Sequence, residues 1–200
     1  MSIEGDQGLR GGMLPGEVEK REVRRAYNEM GGRLYDLRYR EEQRRKFDAA
    51  LSRVSLSEED LVLDVGCGTG LLPEEIGRSV GFAVGVDLSQ ALLSWARSKL
   101  REVQNLDLLL SDADYLPFRE EVFDAVFAIT LLQNLPEPRK TLSEAMRVAK
   151  PEAPIVVSGL KKKYGKKEFE DLLSSTGLRV REIMNGELKD FVAICGKKVS

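Results

Sequence analysis

With 200 residues, an apolar fraction of 42% and a net charge of −2, the chain has material for one core of ordinary size and little for a second. The charge argues against a protein that coats nucleic acid with its whole surface, and apolar runs such as Val122 to Leu132, broken by Asp124, are too short to cross a bilayer. There is no histidine, which excludes Ser/His/Asp and Cys/His catalysis, and with only Cys67 and Cys195 besides, no metal site and no disulfide framework is expected.

Residues 1–16 hold five glycines and no periodic apolar face, so they read as a flexible leader. Their acidic and glycine residues stand where a secretory signal needs basic ones followed by an apolar stretch, which makes the cytoplasm the expected compartment. From Glu17 to Val54 the pattern is helical, with Val23, Tyr27 and Met30 on one stripe, Phe47, Ala50, Leu51 and Val54 on another, and Gly31-Gly32 between. Strand and helix signals then alternate. Strands are expected at Leu61–Val65, Phe82–Val86, Leu106–Leu110, Phe123–Ile129 and Ile155–Gly159. The intervening helices are read at Leu71–Val80, with Pro73 in the first turn, at Gln90–Val103, capped by Ser89, and around Leu142 to Ala149. A last helix, Lys167–Ser175, stops at Gly177, and Val180–Met184 and Phe191–Cys195 look like a closing antiparallel pair. Such alternation implies an α/β, doubly wound fold with a mostly parallel sheet. The expected domain is 17–200, its helices 17–54 forming a lid over the sheet and helices of 61–200.

Ligands of such sheets bind beyond the carboxyl ends of the strands where strand order reverses, so the strand ends are the places to search. Asp64-Val65-Gly66-Cys67-Gly68-Thr69-Gly70 leaves the first strand for a helix, where backbone N–H groups are free to meet a ligand and glycine lets it come close. Glycines at 66, 68 and 70 do not fit the dinucleotide pattern G-x-G-x-x-G, and no Gly-Lys-Ser/Thr follows as a P-loop needs. Asp87 ends the second strand, placed to accept from both hydroxyls of a ribose. Asp112 follows the third, placed to accept from an adenine amino group beside the small Ala113. The bland alternatives are a loop-ordering carboxylate for Asp64, a turn residue for Asp87, and a small filler for Cys67.

The segments Leu61 to Gly70, Val86 to Ser89, Asp112 to Phe118 and Phe123 to Phe127 together resemble the class I S-adenosylmethionine-dependent methyltransferases, in particular the methyltransferase type 11 group. The resemblance runs from about Leu61 to Gly159, and Tyr35-Asp36 is similar to the family's Tyr-Asp near the cofactor. It implies a Rossmann-like methyltransferase fold with a seven-stranded sheet of order 3-2-1-4-5-7-6. It also implies S-adenosylmethionine as cofactor, with the glycine loop on the methionine part, Asp87 on the ribose, Asp112, Ala113 and Leu88 at the adenine, and Tyr35 closing the pocket. Asp64, Gly66, Cys67, Gly68, Gly70 and Thr130 complete the implied cofactor set. The family's Pro-Gly-Gly turn is replaced by Pro151-Glu-Ala-Pro154, and Thr130 to Pro136 lacks Asn-Pro-Pro-Tyr, which speaks against methylation of adenine or amide nitrogens.

Methyl transfer is an in-line displacement at an activated carbon, so alignment and a dry pocket matter more than a dedicated base. Gln133, Tyr35 and Tyr39 are the candidates for orientation, and Asp114 and Glu137 for proton acceptance, with capping or a solvated surface as the plainer roles of those two carboxylates. Trp95 reads as core. Basic residues Lys20-Arg21, Arg24-Arg25, Arg38, Arg40 and Arg44-Arg45-Lys46 alternate with acids and read as solvated helix faces, although RNA contact is compatible with them. The unbalanced run Lys161 to Lys167 suggests an anionic or phosphate-bearing acceptor. The acceptor itself, whether small molecule, RNA or protein, is not specified. Some family members acting on RNA or translation factors use a small activator subunit, and the competing reading of the whole chain is a non-catalytic module that holds S-adenosylmethionine as a ligand or regulatory subunit.

Overall fold

The computed structural model describes residues 15–198. Fourteen residues of the expected leader, 1–14, lie outside the described residues. Helix α1 (Pro15–Met30) is broken from α2 (Gly32–Leu51) at Gly31, whose φ of 71° leaves the helical region. The remaining elements are β1 (Leu61–Val65), α3 (Leu71–Ile76), β2 (Phe82–Asp87), α4 (Gln90–Lys99), β3 (Leu106–Leu110), β4 (Ala125–Ala128), α5 (Pro138–Val148), β5 (Ile155–Leu160), α6 (Lys166–Ser175), β6 (Leu178–Met184) and β7 (Asp190–Lys197).

The seven strands form one sheet in the order β3-β2-β1-β4-β5-β7-β6, with β7 antiparallel to both its neighbours and the other ladders parallel. This is the doubly wound, mostly parallel sheet and strand order expected. Successive residues of a strand face opposite sides, and the chain uses both sides. Leu63 and Val65 pack with Val126, Leu142 and Phe169 towards α5 and α6, while Val62 packs with Ala125, Phe127, Phe47 and Leu72 towards α2 and α3.

Some elements are shorter than the periodicity suggests. α3 stops at Ile76 instead of Val80, because Gly77 serves as its C-cap and Ser79 N–H turns back onto Ile76 C=O at 2.8 Å. α4 stops at Lys99, and Val103 N–H bonds Leu100 C=O in a turn of its own. Ser89 caps α4 as expected, its Oγ accepting from Leu92 N–H at 3.3 Å. The reversal of strand order falls between β1 and β4, and the carboxyl ends of β1, β2 and β4 open there.

Candidate functional site

A cavity lies at that reversal. From the sheet it takes Gly66 and Gly68 after β1, Val86, Asp87, Leu88 and Ser89 at the end of β2, Ser111, Asp112 and Ala113 after β3, and Ile129, Thr130 and Leu131 after β4. From the helices it takes Lys20, Val23, Arg24 and Tyr27 of α1 and Tyr35 of α2. Leu92, Asn134 and Leu135 complete it.

The loop owes its shape to three left-handed glycines, Gly66 (φ 77°), Gly68 (φ 54°) and Gly70 (φ 71°), a conformation that side chains disfavour. A Cβ on Gly66 would also stand 2.9 Å from Leu131 Cδ1. The N–H groups of Gly66 and Cys67 donate to Val86 C=O at 2.8 and 2.9 Å, tying the loop to β2. Asp87 accepts from Gly68 N–H and from Ser89 N–H, each at 2.8 Å, so one carboxylate orders two loops and still faces the cavity. Burial raises its pKa above the ordinary carboxylate value despite those bonds.

Asp64 stands behind this lining, near enough to Asp87 to feel its charge and near enough to Tyr35 to help raise that hydroxyl. It is buried and its carboxylate accepts no hydrogen bond among the described residues, and burial, then the Asp87 charge, push its pKa up to about 8. A buried carboxylate left in that condition calls for a cation. Asp112 and Asp114 already hold one: Lys20 Nζ donates to Asp112 Oδ1 at 2.7 Å and also to Asp114, whose other oxygen accepts from Thr141. Lys20 is thus a half-buried bridge instead of a member of a solvated face, and Asp114 is internal and neither cap nor surface. Glu137 sits at the N-cap position of α5, exposed and without a capping bond.

The expected residues divide accordingly. Gly66, Gly68, Asp87, Leu88, Asp112, Ala113, Thr130 and Tyr35 line the cavity, and Asp64, Cys67 and Gly70 lie outside its lining. Cys67 is buried against Gly85, and its thiol is raised well above the ordinary value by burial and by Asp87 and Asp64, so it is a packing atom. Tyr39 packs on Tyr35 at a ring-centroid distance of 5.1 Å and does not reach the cavity. Neither does Gln133, whose C=O accepts from Lys163 and whose Oε1 is buried without a partner in the described residues. Tyr27 and Asn134 were not anticipated. Asn134 Nδ2 donates to Tyr27 OH at 3.1 Å and to Thr130 C=O at 3.2 Å, joining α1 to the end of β4. The signal for Tyr27 was present in the Val23, Tyr27, Met30 stripe, which was read only as a packing face.

Burial raises the hydroxyls of both Tyr27 and Tyr35, so these two phenols keep their protons at neutral pH. Tyr35's neighbour Asp36 anchors α2 on the glycine loop: it accepts from Thr69 Oγ1 at 2.5 Å and Trp95 Nε1 at 2.9 Å, with Lys99 and Arg40 within 3.4 Å. Burial alone would raise Asp36, but these donors outweigh it and hold it below its usual value. Trp95 is accordingly half-buried with a polar task and not a core residue. Around Lys161 to Lys167 the charge is more balanced than the run suggests. The groove that takes Lys166 and Lys167 with Arg139 and Lys140 also takes Glu137, Glu168 and Asp171, and Lys161 Nζ is bonded to Gly186 C=O. Among the described residues no cluster suited to a metal ion occurs, and no helix is long and apolar enough to cross a membrane.

Residues 63–157 match the family model described as a methyltransferase domain. The chain is 34% identical over 109 residues to the demethylmenaquinone methyltransferase of Tropheryma whipplei (strain Twist), an overlap covering 54% of this chain and 45% of that protein. It thus spans about half the length of the curated relatives it matches. Among solved structures it is similar to a SAM-dependent methyltransferase from Aquifex aeolicus, with a TM-score of 0.69 at 24% identity, over 76% of this chain and 89% of that one. It is also similar to a Haloferax volcanii structure, a complex between the Trm112 methyltransferase activator and a methyltransferase, with a TM-score of 0.79 at 18% identity, over 89% of this chain and 98% of that one.

Proposed function

We propose that this chain is a class I S-adenosylmethionine-dependent methyltransferase that binds S-adenosylmethionine in the cavity between the sheet and α1 and passes its methyl group to a small-molecule acceptor. One observation carries the reading: Gly66 and Gly68, Asp87, Asp112 and Thr130, at the ends of four successive strands, converge on one cavity. The unpaired carboxylate of Asp64 supports it, since the cofactor brings a cationic methionine end.

In this reading the glycine loop and Asp64 hold the methionine part, with Cys67 and Gly70 shaping the loop from behind. Asp87 accepts from the ribose hydroxyls while keeping Gly68 and Ser89 in place. Leu88, Leu92 and Ala113 give the adenine an apolar slot, and Asp112 accepts from its amino group, sharing its oxygens with Lys20. Thr130, Tyr35, Tyr27 and Asn134 border the reacting end. Bound there, the cofactor supplies a methyl group already activated by the adjacent sulfonium. The protein's part is alignment and exclusion of water, with Tyr27 and Tyr35 as hydrogen-bonding phenols that orient an acceptor without removing its proton. Helix α1 acts as the lid over this chemistry, joined at Gly31 to α2, whose Phe47 and Ala50 lie in the core.

A small acceptor is favoured over RNA because the helix positives are matched by acids. Arg25 pairs with Glu29, Arg40 with Glu74, Arg44 with Glu75 and Arg45 with Glu41. The curated relative named above, a demethylmenaquinone methyltransferase, points the same way. A small activator subunit belongs to the same proposal. The Haloferax protein has one, and β3 stands at a sheet edge with Leu110 half-exposed, where a partner strand could be added.

Incubating the protein with methyl-labelled cofactor and separate pools of small metabolites, RNA and protein tests this directly. Label is expected in the small-molecule pool. Label confined to RNA or protein would overturn the acceptor class, and cofactor binding without transfer to any pool, even with an activator supplied, would make the chain a binding module.

A further inference from the structure

Thr130 lines the cavity between Ile129 and Leu131 with a backbone φ of 61°. For a β-branched residue the left-handed region is a genuine outlier, and one that persists only where its surroundings over-determine it. The other non-glycine residue in that region among those described, Glu121, lies exposed in a loop outside the cavity lining, its N–H on Arg147 C=O. Thr130 is held from several directions. Its N–H donates to Ser158 Oγ at 2.7 Å, and Ser158 Oγ donates to Asp190 Oδ2 at 3.1 Å. Its own Oγ1 donates to Gln43 Oε1 at 2.9 Å and accepts from Lys46 Nζ at 3.0 Å.

Lys46 is the unusual member. Its side chain is 1% exposed, 3.0 Å from Oδ1 of the fully buried Asp190 and 3.2 Å from Glu42. A buried ion pair is weak evidence for stability, since well-packed apolar residues often serve as well or better. Here it brings α2, through Lys46 and Gln43, onto the ends of β4, β5 and β7 at one point. Gln43 Nε2 in turn donates to Tyr35 OH at 3.4 Å, so the same cluster reaches a second residue of the cavity wall.

We propose that Lys46, with Asp190 as its counter-charge, is a positioning residue that clamps Thr130 in its left-handed conformation and so sets the β4 wall of the cavity. The inference rests on the reading of that cavity as the S-adenosylmethionine site. Without the clamp, Thr130 relaxes towards an ordinary backbone conformation and the wall moves into the space the ligand needs.

Calorimetric titration with S-adenosylhomocysteine, a stable stand-in for the cofactor, tests the clamp in two backgrounds. The joint change Lys46→Met with Asp190→Asn removes the charge pair without leaving a lone buried charge, and it is expected to weaken binding about tenfold. In a chain that also carries Thr130→Gly, the same joint change is expected to cost less than about twofold, because glycine adopts positive φ without being held there. Equal losses in both backgrounds, or no loss in either, would overturn the proposal while leaving the cofactor site standing. Absence of binding by the unsubstituted chain would overturn the cavity assignment and the clamp with it. If the charge-free chain does not fold, Thr130→Val and Thr130→Ser give the comparison. Valine keeps the branch and loses the hydroxyl bonds, so it should weaken binding about tenfold, whereas serine should stay within about threefold. Equal affinities for these two would overturn the clamp.

Discussion

The cavity has two walls of opposite construction. The sheet wall is made of backbone: left-handed glycines, strand ends in register, and the Asp87 carboxylate bonded to two main-chain N–H groups, over strands buried along most of β1 and all of β4. The helical wall is made of side chains. No residue of 16–30 is buried, and α1 is held by Lys20 on Asp112 and Asp114, by Tyr27 with Asn134, and by Asn28, whose Oδ1 accepts from Ser89 Oγ at 2.8 Å. One wall cannot move without unfolding the core, whereas the other can lift away by exchanging a few polar contacts for water. A site that must admit, enclose and release ligands needs both kinds.

The largest effect is expected inside the sheet wall, where β2 packs closely against the glycine loop and β3. A Cβ on Gly85 of β2 would come within 2.8 Å of both Cys67 Sγ and Leu108 Cδ2. Gly85→Val should therefore lower unfolding free energy by about 3 kcal/mol, seen as a drop in the denaturant midpoint with an unchanged slope. A variant as stable as the parent would show that this wall is more pliable than its burial suggests. Next comes Asp87→Ala, which should weaken cofactor binding by about 2 kcal/mol, the scale of lost charge-assisted hydrogen bonds. Unchanged affinity in a calorimetric titration would remove Asp87 from the site.

Asp64 offers a pH signature. In the free chain its pKa is pushed up to about 8, so below that pH the carboxyl holds a proton that a cationic ligand group must displace. Binding then releases the proton, and affinity should rise by about tenfold per pH unit up to about 8 and level off above. The amino group of the ligand titrates near the same range, at about 8, so the useful quantity is the ratio of affinities between the unsubstituted chain and Asp64→Asn. A ratio independent of pH would dismiss the assignment. The same raised value has a second consequence: the folded chain binds more protons than the unfolded one between the ordinary carboxylate range and about 8, so this group makes stability fall as pH rises across that window.

The two walls also differ in how far the sequence disclosed them. The alternation of strands and helices, the glycine loop, Asp87 and Asp112 were readable because each depends on residue type at a fixed place in a strand-turn-helix unit, whereas the strand order came only from the family resemblance. Lys20 was read as a solvated charge because its partners Asp112 and Asp114 are 92 and 94 residues away, and no local pattern marks a pairing across such a separation. Lys46 was hidden for the same reason, its counter-charge Asp190 lying near the other end of the chain. Trp95 looked like core because its helix carries an apolar stripe, and only the arrival of α2 shows that its indole N–H is needed by Asp36. Gln133 and Tyr39 looked well placed in sequence, but the short helical turn Leu132–Asn134 carries Asn134 and not Gln133 to the cavity.

The smallest effect is the one that bears most directly on the contrast between the walls. Lys20 is 14% exposed and Asp112 30%, so their pairing is partly screened, and the buried Asp114 keeps its bond from Thr141, so Lys20→Met should lower global stability by about 1 kcal/mol. Its effect on α1 alone should be plain. With the bridge gone, amides of 16–30 should exchange with solvent about fivefold faster or more, the equivalent of about 1 kcal/mol in local opening, while those of β1 and β2 keep their protection. Asp112, freed of its cation, should bind the adenine amino group at least as well as before, so cofactor affinity should hold as its association and dissociation rates both rise. If instead β1 and β2 lose protection in step with α1, the helix and the sheet open as one unit, and the distinction between a fixed wall and a removable one fails.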